Sequence, residues 1–205
     1  MPTPETAPSL ALAEKILPDM LKFASESGWT EANMRRAAIE AGVSDAELAI
    51  AAPDGVSSLV VCYLTSLEET CRRDLAALDM ETMRIRDKVT HGVRIWFDAL
   101  GAHKSASLKA LDYLAVRPLG PKSVPQIVWS VADLIWTGIG DESTGFTYAS
   151  KRTSLSGVIL STLTVWRNAD DEDTWQAFLD RRIENVMTFE KFKAKFKLPK
   201  PPLFA

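Results

Sequence analysis

The apolar positions of this chain recur at helical spacing almost from its start. Leu10, Ala13, Ile16, Leu17, Met20, Leu21 and Ala24 fall three and four residues apart, with Lys15, Asp19, Lys22 and Glu26 on the other face, as an amphipathic helix requires. Pro18 interrupts that pattern and predicts a kink or a late helix start, and Gly28 is a plausible stop. Thr30 stands ahead of a second helix ending at Gly42, Ser44 ahead of a very short third, and Pro53 at the expected start of a long fourth. The later pattern predicts helices over roughly 54–79, 81–101, 104–116, 121–138, 145–168 and 172–197. Nothing alternates convincingly with period two, so no sheet is expected. The fold class is all-α: a bundle of about nine helices opened by a helix-turn-helix headpiece over 8–52, a helical body over 53–190 and a basic tail over 191–205.

Two neighbouring stretches, Val124–Ala132 and Thr153–Trp166, carry no charged residue. A transmembrane helix needs about 20 predominantly apolar residues. The longer stretch has 14 and is rich in Ser and Thr, which disfavours a membrane hairpin. A helix apolar all round must be buried against something. In 153–166 the small residues Ser154, Ser156, Gly157 and Ser161 leave room that either a neighbouring helix or an apolar guest could fill. Opposite them Val128, Trp129, Ala132, Ile135 and Trp136 supply aliphatic and aromatic side chains at helical spacing, the usual lining of an interhelical ligand site. Spacing alone leaves core and cavity both open.

Composition narrows the chemistry. The 205 residues are 46% hydrophobic and 25% charged with a net charge of −3, which gives no overall reason to bind a polyanion. From Ala37 through Cys71 there is neither Lys nor Arg, while Glu40, Asp45, Glu47, Asp54, Glu68 and Glu69 are acidic. A headpiece that read DNA would need cations for phosphates at that place, so no nucleic-acid partner is expected. A ligand-responsive transcriptional repressor is the alternative that this charge pattern disfavours. His91 and His103 sit in no metal-binding spacing, and "DESTG" has Asp141 where the hydrolase elbow requires glycine. "GIGDES" likewise lacks the third glycine of a dinucleotide fingerprint. Neither a catalytic set nor a cofactor is expected. Cys62 and Cys71, nine apart, lie on opposite sides of a helix and point to a reducing compartment. The opening MPTPETAPSLALAEK has no basic flank and no apolar core of a leader, which predicts a cytoplasmic protein.

The stretch "VADLIWTGIGDESTGFTYASKR" (131–152), followed by "DTWQAFLDRRIENVM" (173–187) and preceded by "GWTEANMRRAAIEAGVS" (28–44), closely resembles the ubiquinone-biosynthesis accessory family, the ninth of the Coq series. The resemblance runs over about 180 residues and implies a tetracycline-repressor-like fold that has lost DNA binding. It further implies a homodimer, a pocket for an isoprenoid lipid or quinone precursor, and delivery of that lipid to the di-iron demethoxyubiquinone hydroxylase. The protein would then be no enzyme itself and would work peripherally at a bacterial inner membrane. Taken with the apolar spacing, the lipid-lining residues are expected to be Val128, Trp129, Ala132, Ile135, Phe146, Leu155, Ile159 and Leu163. By position in the motif, Asp133, Trp136 and Asp141 are implied to form an outward patch that docks the hydroxylase. Gly145 and Tyr148 depart from the family pattern, which often has Asp and Trp there.

The tail adds a membrane expectation. On a helix Phe189, Phe192 and Phe196 fall within about 60° of one another, and from Met187 onward five lysines, Lys193 and Lys197 among them, face one glutamate. Such a segment can lie in a bilayer interface with phenylalanines down and ammonium groups among anionic head groups.

Overall fold

The computed structural model describes residues 7–117 and 122–195; of 189–195 it describes the backbone alone. The described residues form nine α-helices and no strand: α1 Pro8–Ser27, α2 Glu31–Glu40, α3 Asp45–Ala51, α4 Val56–Ala76, α5 Ile85–Gly101, α6 Lys104–Ala115, α7 Val124–Gly138, α8 Gly145–Asn168 and α9 Glu172–Lys195. This is an all-helical bundle consistent with a tetracycline-repressor-like arrangement. Among the described residues no single helix is long and apolar enough to cross a membrane.

Three boundaries differ from those expected. Helix α1 begins at Pro8 and runs through Pro18 without the late start that the proline suggested. Its buried side, Ala13, Ile16, Leu17, Met20 and Leu21, packs against α2, α3 and α6, and that packing outweighs one missing backbone donor. Pro53 does not open α4 but lies in the turn before it. Gly55, at φ 59°, holds the turn open while Glu31 reaches over from α2 and accepts the Val56 N–H at 3.2 Å. A β-carbon at Gly55 would lie 2.5 Å from that carboxylate oxygen, so the cap depends on the glycine. Helix α5 starts at Ile85 rather than near 81, because Asp79 accepts the Glu81 N–H at 3.2 Å and turns the chain first.

One continuous core joins the first three helices to the rest. The Trp29 indole stacks on Tyr63 at 5.6 Å and donates to the Ala106 carbonyl at 3.0 Å. Tyr63 in turn bonds Ser107 at 2.6 Å, and Ser107 donates to the Leu100 carbonyl, so a chain of buried polar groups is fully satisfied. Helix α7 packs against α4, α5 and α8. It comes unusually close to its neighbours: a β-carbon on Gly92 of α5 would meet Ile135 at 2.7 Å, and one on Gly138 would meet Leu75 at 2.5 Å. At the far end Phe97 contacts both Trp166 and Trp175, with ring centroids 5.6 and 5.1 Å away, which fastens α5 to α8 and α9.

Candidate functional site

The motif region folds into the corner between α7 and α8. The backbone carbonyl of Trp136, in the last turn of α7, closes the C-terminal end of that helix by accepting the Asp141 N–H at 2.9 Å, and Gly140 sits at φ 84° to let the chain turn. Ser143 then donates to Asp141 Oδ2 at 2.5 Å, and Gly145, at φ 57°, begins α8. Three residues of α8 return to this corner. Lys151 donates to Asp141 Oδ1, and Arg152 spans both carboxylates, with Nε on Asp133 Oδ1 at 2.6 Å and Nη1 on Asp141 Oδ2 at 3.0 Å. Tyr148 donates its hydroxyl to Asp133 at 2.9 Å and lies under the Arg152 guanidinium, 3.5 Å from ring to charge.

Arg152 is 1% exposed, so its charge is sustained by these partners instead of by water. The Asp141 side chain is only 7% exposed. Burial by itself would favour its neutral form, but hydrogen bonds from Lys151, Ser143 and Arg152 outweigh that and hold its carboxyl well below the usual carboxylate range. Asp141 is therefore a fixed anion, unsuited to proton transfer near neutral pH. Ser143 has its hydroxyl directed at that anion, with neither histidine in its hydrogen-bond set, so its role in the described structure is to close the turn. Among the described residues no group of three or more His, Cys, Asp and Glu could hold a metal ion.

The outward patch expected at this place is not what the structure shows for its tryptophan. Trp136 is 8% exposed; its indole donates to the Lys151 carbonyl at 3.2 Å and carries the Lys151 ammonium over its ring at 4.9 Å. The side chain fastens α7 to α8. Asp133 keeps a half-open side chain but spends it on Tyr148 and Arg152, and Asp141 is enclosed. The sequence motif placed Asp133 and Trp136 on one helix face correctly for a helix, but that face turns toward α8 because Arg152 and Lys151 draw it there.

The expected lipid-lining residues separate into two groups. Val128, Ala132, Ile135, Leu155, Ile159 and Leu163 are buried in the common core, and Ile135 fills the space beside Gly92 that a hollow would need. Trp129 is 37% exposed and Phe146 is 73% exposed. Six of the eight thus pack into the core of the described residues and two stand at the surface, while α8 packs against α7 and α9 and Gly157 faces open space. A cavity of about 470 Å³ does occur elsewhere, over the Phe97, Trp166 and Trp175 rings, with Asp98, Asp170, Asp171, Glu172 and Lys104 at its mouth. Lys104 already occupies part of it, 5.0 Å above the Trp166 ring and bonded to the Ala169 carbonyl at 2.9 Å. None of the eight expected residues lines it.

Of the membrane residues, Phe189, Phe192 and Lys193 fall on the described backbone of α9 with their side chains outside the described residues, and Phe196 and Lys197 lie outside the described residues altogether. Besides Arg152, a second buried charge escaped the sequence reading. Glu68, 7% exposed, receives Lys122 at 3.0 Å and Ser130 at 2.7 Å and so ties the start of α7 to α4. Its signal was present: it falls in the apolar stripe Leu64, Leu67, Cys71 and Leu75, where a carboxylate needs partners. Both cysteines are free, and burial, with Asp74 nearby, pushes the Cys71 thiol up to about 12.

Comparison with known proteins meets this same corner. Residues 121–190 match the COQ9 family model, a span that contains α7, the ion network, α8 and most of α9. Over 195 residues the chain is 29% identical to the mitochondrial ubiquinone biosynthesis protein COQ9 of Rattus norvegicus, covering 86% of this chain and 59% of the relative. It is 28% identical over 194 residues to the protein of the same name from Xenopus tropicalis, covering 86% and 58%. The probable ubiquinone biosynthesis protein coq9 of Dictyostelium discoideum is 24% identical over 192 residues, covering 87% and 61%. The chain thus spans about three fifths of the length of these curated relatives, and its similarity to them extends over most of its own.

Proposed function

We propose that this protein serves ubiquinone biosynthesis as a non-catalytic accessory protein that binds an isoprenoid quinone precursor and presents it to the di-iron demethoxyubiquinone hydroxylase at a membrane. The observation that carries this reading is the coincidence of the COQ9 match over 121–190 with the most constrained polar construction in the fold, the Arg152 network between α7 and α8. The acidic stretch from Ala37 through Cys71 argues in the same direction, since the place where a repressor would meet DNA would repel it.

In the closed arrangement the apolar residues of α7 and α8 are shut inside. Loading therefore requires α8 to part from α7, exposing Val128, Ala132, Ile135, Leu155, Ile159 and Leu163 to a polyisoprenoid chain. Exposed Trp129 and Phe146 then stand where the guest's path meets the surface. The C-terminal basic segment, with its phenylalanines, supplies contact with anionic lipid, and the protein acts as a homodimer. Organic extraction of protein purified from a quinone-producing host, followed by mass spectrometry, tests the reading. A co-purifying isoprenoid quinone or precursor is the expected result. Preparations that contain no isoprenoid, and that take up none from mixed micelles, would overturn it.

A further inference from the structure

The cavity over Phe97, Trp166 and Trp175 has no part in the reading above, and none of the residues expected to line a lipid site borders it. It lies where four helices end or begin. Helix α5 supplies Phe97 and Asp98, α6 Lys104, α8 Trp166, and α9 Glu172 and Trp175, with Asp170 and Asp171 in the turn between the last two. Its volume of about 470 Å³ falls within the roughly 300–1,000 Å³ usual for small-molecule sites.

The floor is aromatic and the mouth acidic. Phe97 packs on both indoles, and four carboxylates, Asp98, Asp170, Asp171 and Glu172, stand against one ammonium, that of Lys104. Asp171 is spent on the start of α9, where it accepts the Thr174 N–H at 2.7 Å, while Asp98, Asp170 and Glu172 are exposed. Partial burial, and after it the nearness of Glu172, pushes the Asp98 carboxyl up, with Arg94 opposing, so the mouth is crowded with negative charge. These carboxylates do not converge as a metal ion requires, since among the described residues no group of three could hold one. A diffuse acidic rim above aromatic rings suits instead a large, weakly hydrated cation whose charge is spread over methyl groups.

Lys104 shows that this floor accepts an ammonium. It opens α6, where a positive charge opposes the helix dipole, so the helix itself gains nothing from it. Its Nζ stands 5.0 Å over the Trp166 ring and donates to the Ala169 carbonyl at 2.9 Å. Trp166 is covered with that side chain above it. A guest cation that takes the ammonium's place gains the ring and exchanges charge for charge, and the flexible, strongly hydrated lysine head returns to water.

We propose that this cavity binds a small quaternary ammonium group, as in choline, which displaces Lys104 from Trp166 and is held by Asp98, Asp170 and Glu172. The inference goes beyond the quinone reading and stands without it.

Isothermal titration calorimetry of the full chain with choline chloride tests it, alongside the uncharged isostere that has carbon in place of nitrogen. Saturable choline binding is expected, with the isostere at least about tenfold weaker. Two variants should move the affinity in opposite directions. Lys104→Ala uncovers Trp166 and removes the competing charge, and should tighten binding about tenfold; Asp98→Asn with Glu172→Gln, both at exposed positions, should weaken it about tenfold. Sedimentation with phosphatidylcholine vesicles, with the same double variant as control, separates two sources of the group. Choline binding without vesicle retention marks a free solute, and retention that the double variant loses marks a lipid head group. Absence of both, equal affinity for the isostere, or variants that leave the affinity unchanged or move it the same way would overturn the proposal. None of these readouts involves an isoprenoid, so such a failure leaves the quinone reading standing, and an empty lipid extract leaves this site standing.

Discussion

Replacing Arg152 by Met tests how the α7–α8 corner is held. The methionine keeps most of the volume and removes the guanidinium that joins Asp133 Oδ1 and Asp141 Oδ2. Breaking a buried ion pair by removing one partner typically costs about 3–5 kcal/mol, since the other charge is stranded. Two features reduce that here. Asp133 has a side chain 40% exposed and keeps Tyr148, so its share approaches that of a surface pair, about 0–1 kcal/mol. Asp141 is enclosed but keeps Lys151 and Ser143. The expected loss is therefore about 2–3 kcal/mol, which for a domain of this size lowers Tm by about 4–12 °C. Urea unfolding followed by circular dichroism at pH 7 reads the difference, provided the m-value is unchanged. The double variant Arg152→Met, Asp141→Asn should recover about 1 kcal/mol by removing the stranded anion. A loss under about 0.5 kcal/mol, or no recovery in the double variant, would show that the pair adds nothing beyond its packing and would refute the reasoning.

Gly92→Ala should lower stability by about 1–2 kcal/mol, because the added carbon meets Ile135 at 2.7 Å, while Gly157→Ala, in open space on α8, should raise it by up to about 1 kcal/mol; thermal melts of the two separate a packing glycine from a merely flexible one. Trp136→Ala should cost about 3–5 kcal/mol in urea unfolding, as a buried indole and its bond to the Lys151 carbonyl are lost; a folded, fully stable variant would return Trp136 to the surface role implied by the motif. The depressed Asp141 carboxyl makes a contribution that is present above the unfolded carboxylate pKa of about 3.9 and disappears as pH falls through the lower folded value. Wild-type stability should lose that contribution only in acid, whereas Asp141→Asn should show a shallower fall below about pH 4 in pH-dependent urea titrations.

The helices were legible because apolar spacing at three and four residues survives almost any context. Their ends were less so where the terminating group lies far away in sequence. The Glu31 carboxylate that caps α4 is 25 residues from Val56, and nothing local to Pro53 announces it. The site was legible as a motif and not as a geometry. Asp133 and Trp136 share a face, as their three-residue spacing requires, yet which way that face turns is decided by Lys151 and Arg152, on the next helix. A buried arginine cannot be recognised by periodicity, because Arg152 follows Lys151 in an unremarkable polar turn of α8, and only the paired carboxylates across the corner account for it. The same ambiguity governed the apolar stretches. Small residues predict close approach, yet the close approaches fall at Gly92 and Gly138, outside both stretches, while Gly157 inside the second faces open space, so spacing did not locate where helices meet.

The fastening between α7 and α8 has an asymmetry with respect to water. Apolar surface that separates meets a solvent that disfavours it, and the cost grows with every side chain uncovered. A guanidinium and two carboxylates that separate regain their hydration, and this offsets much of the attraction they give up. With its polar anchor at one end and aliphatic side chains along the remainder, the α7–α8 pair resists separation mainly through its greasy length. An amphiphile that wets that length would act on the part that holds hardest, while the ionic corner re-forms the original register once the amphiphile has gone.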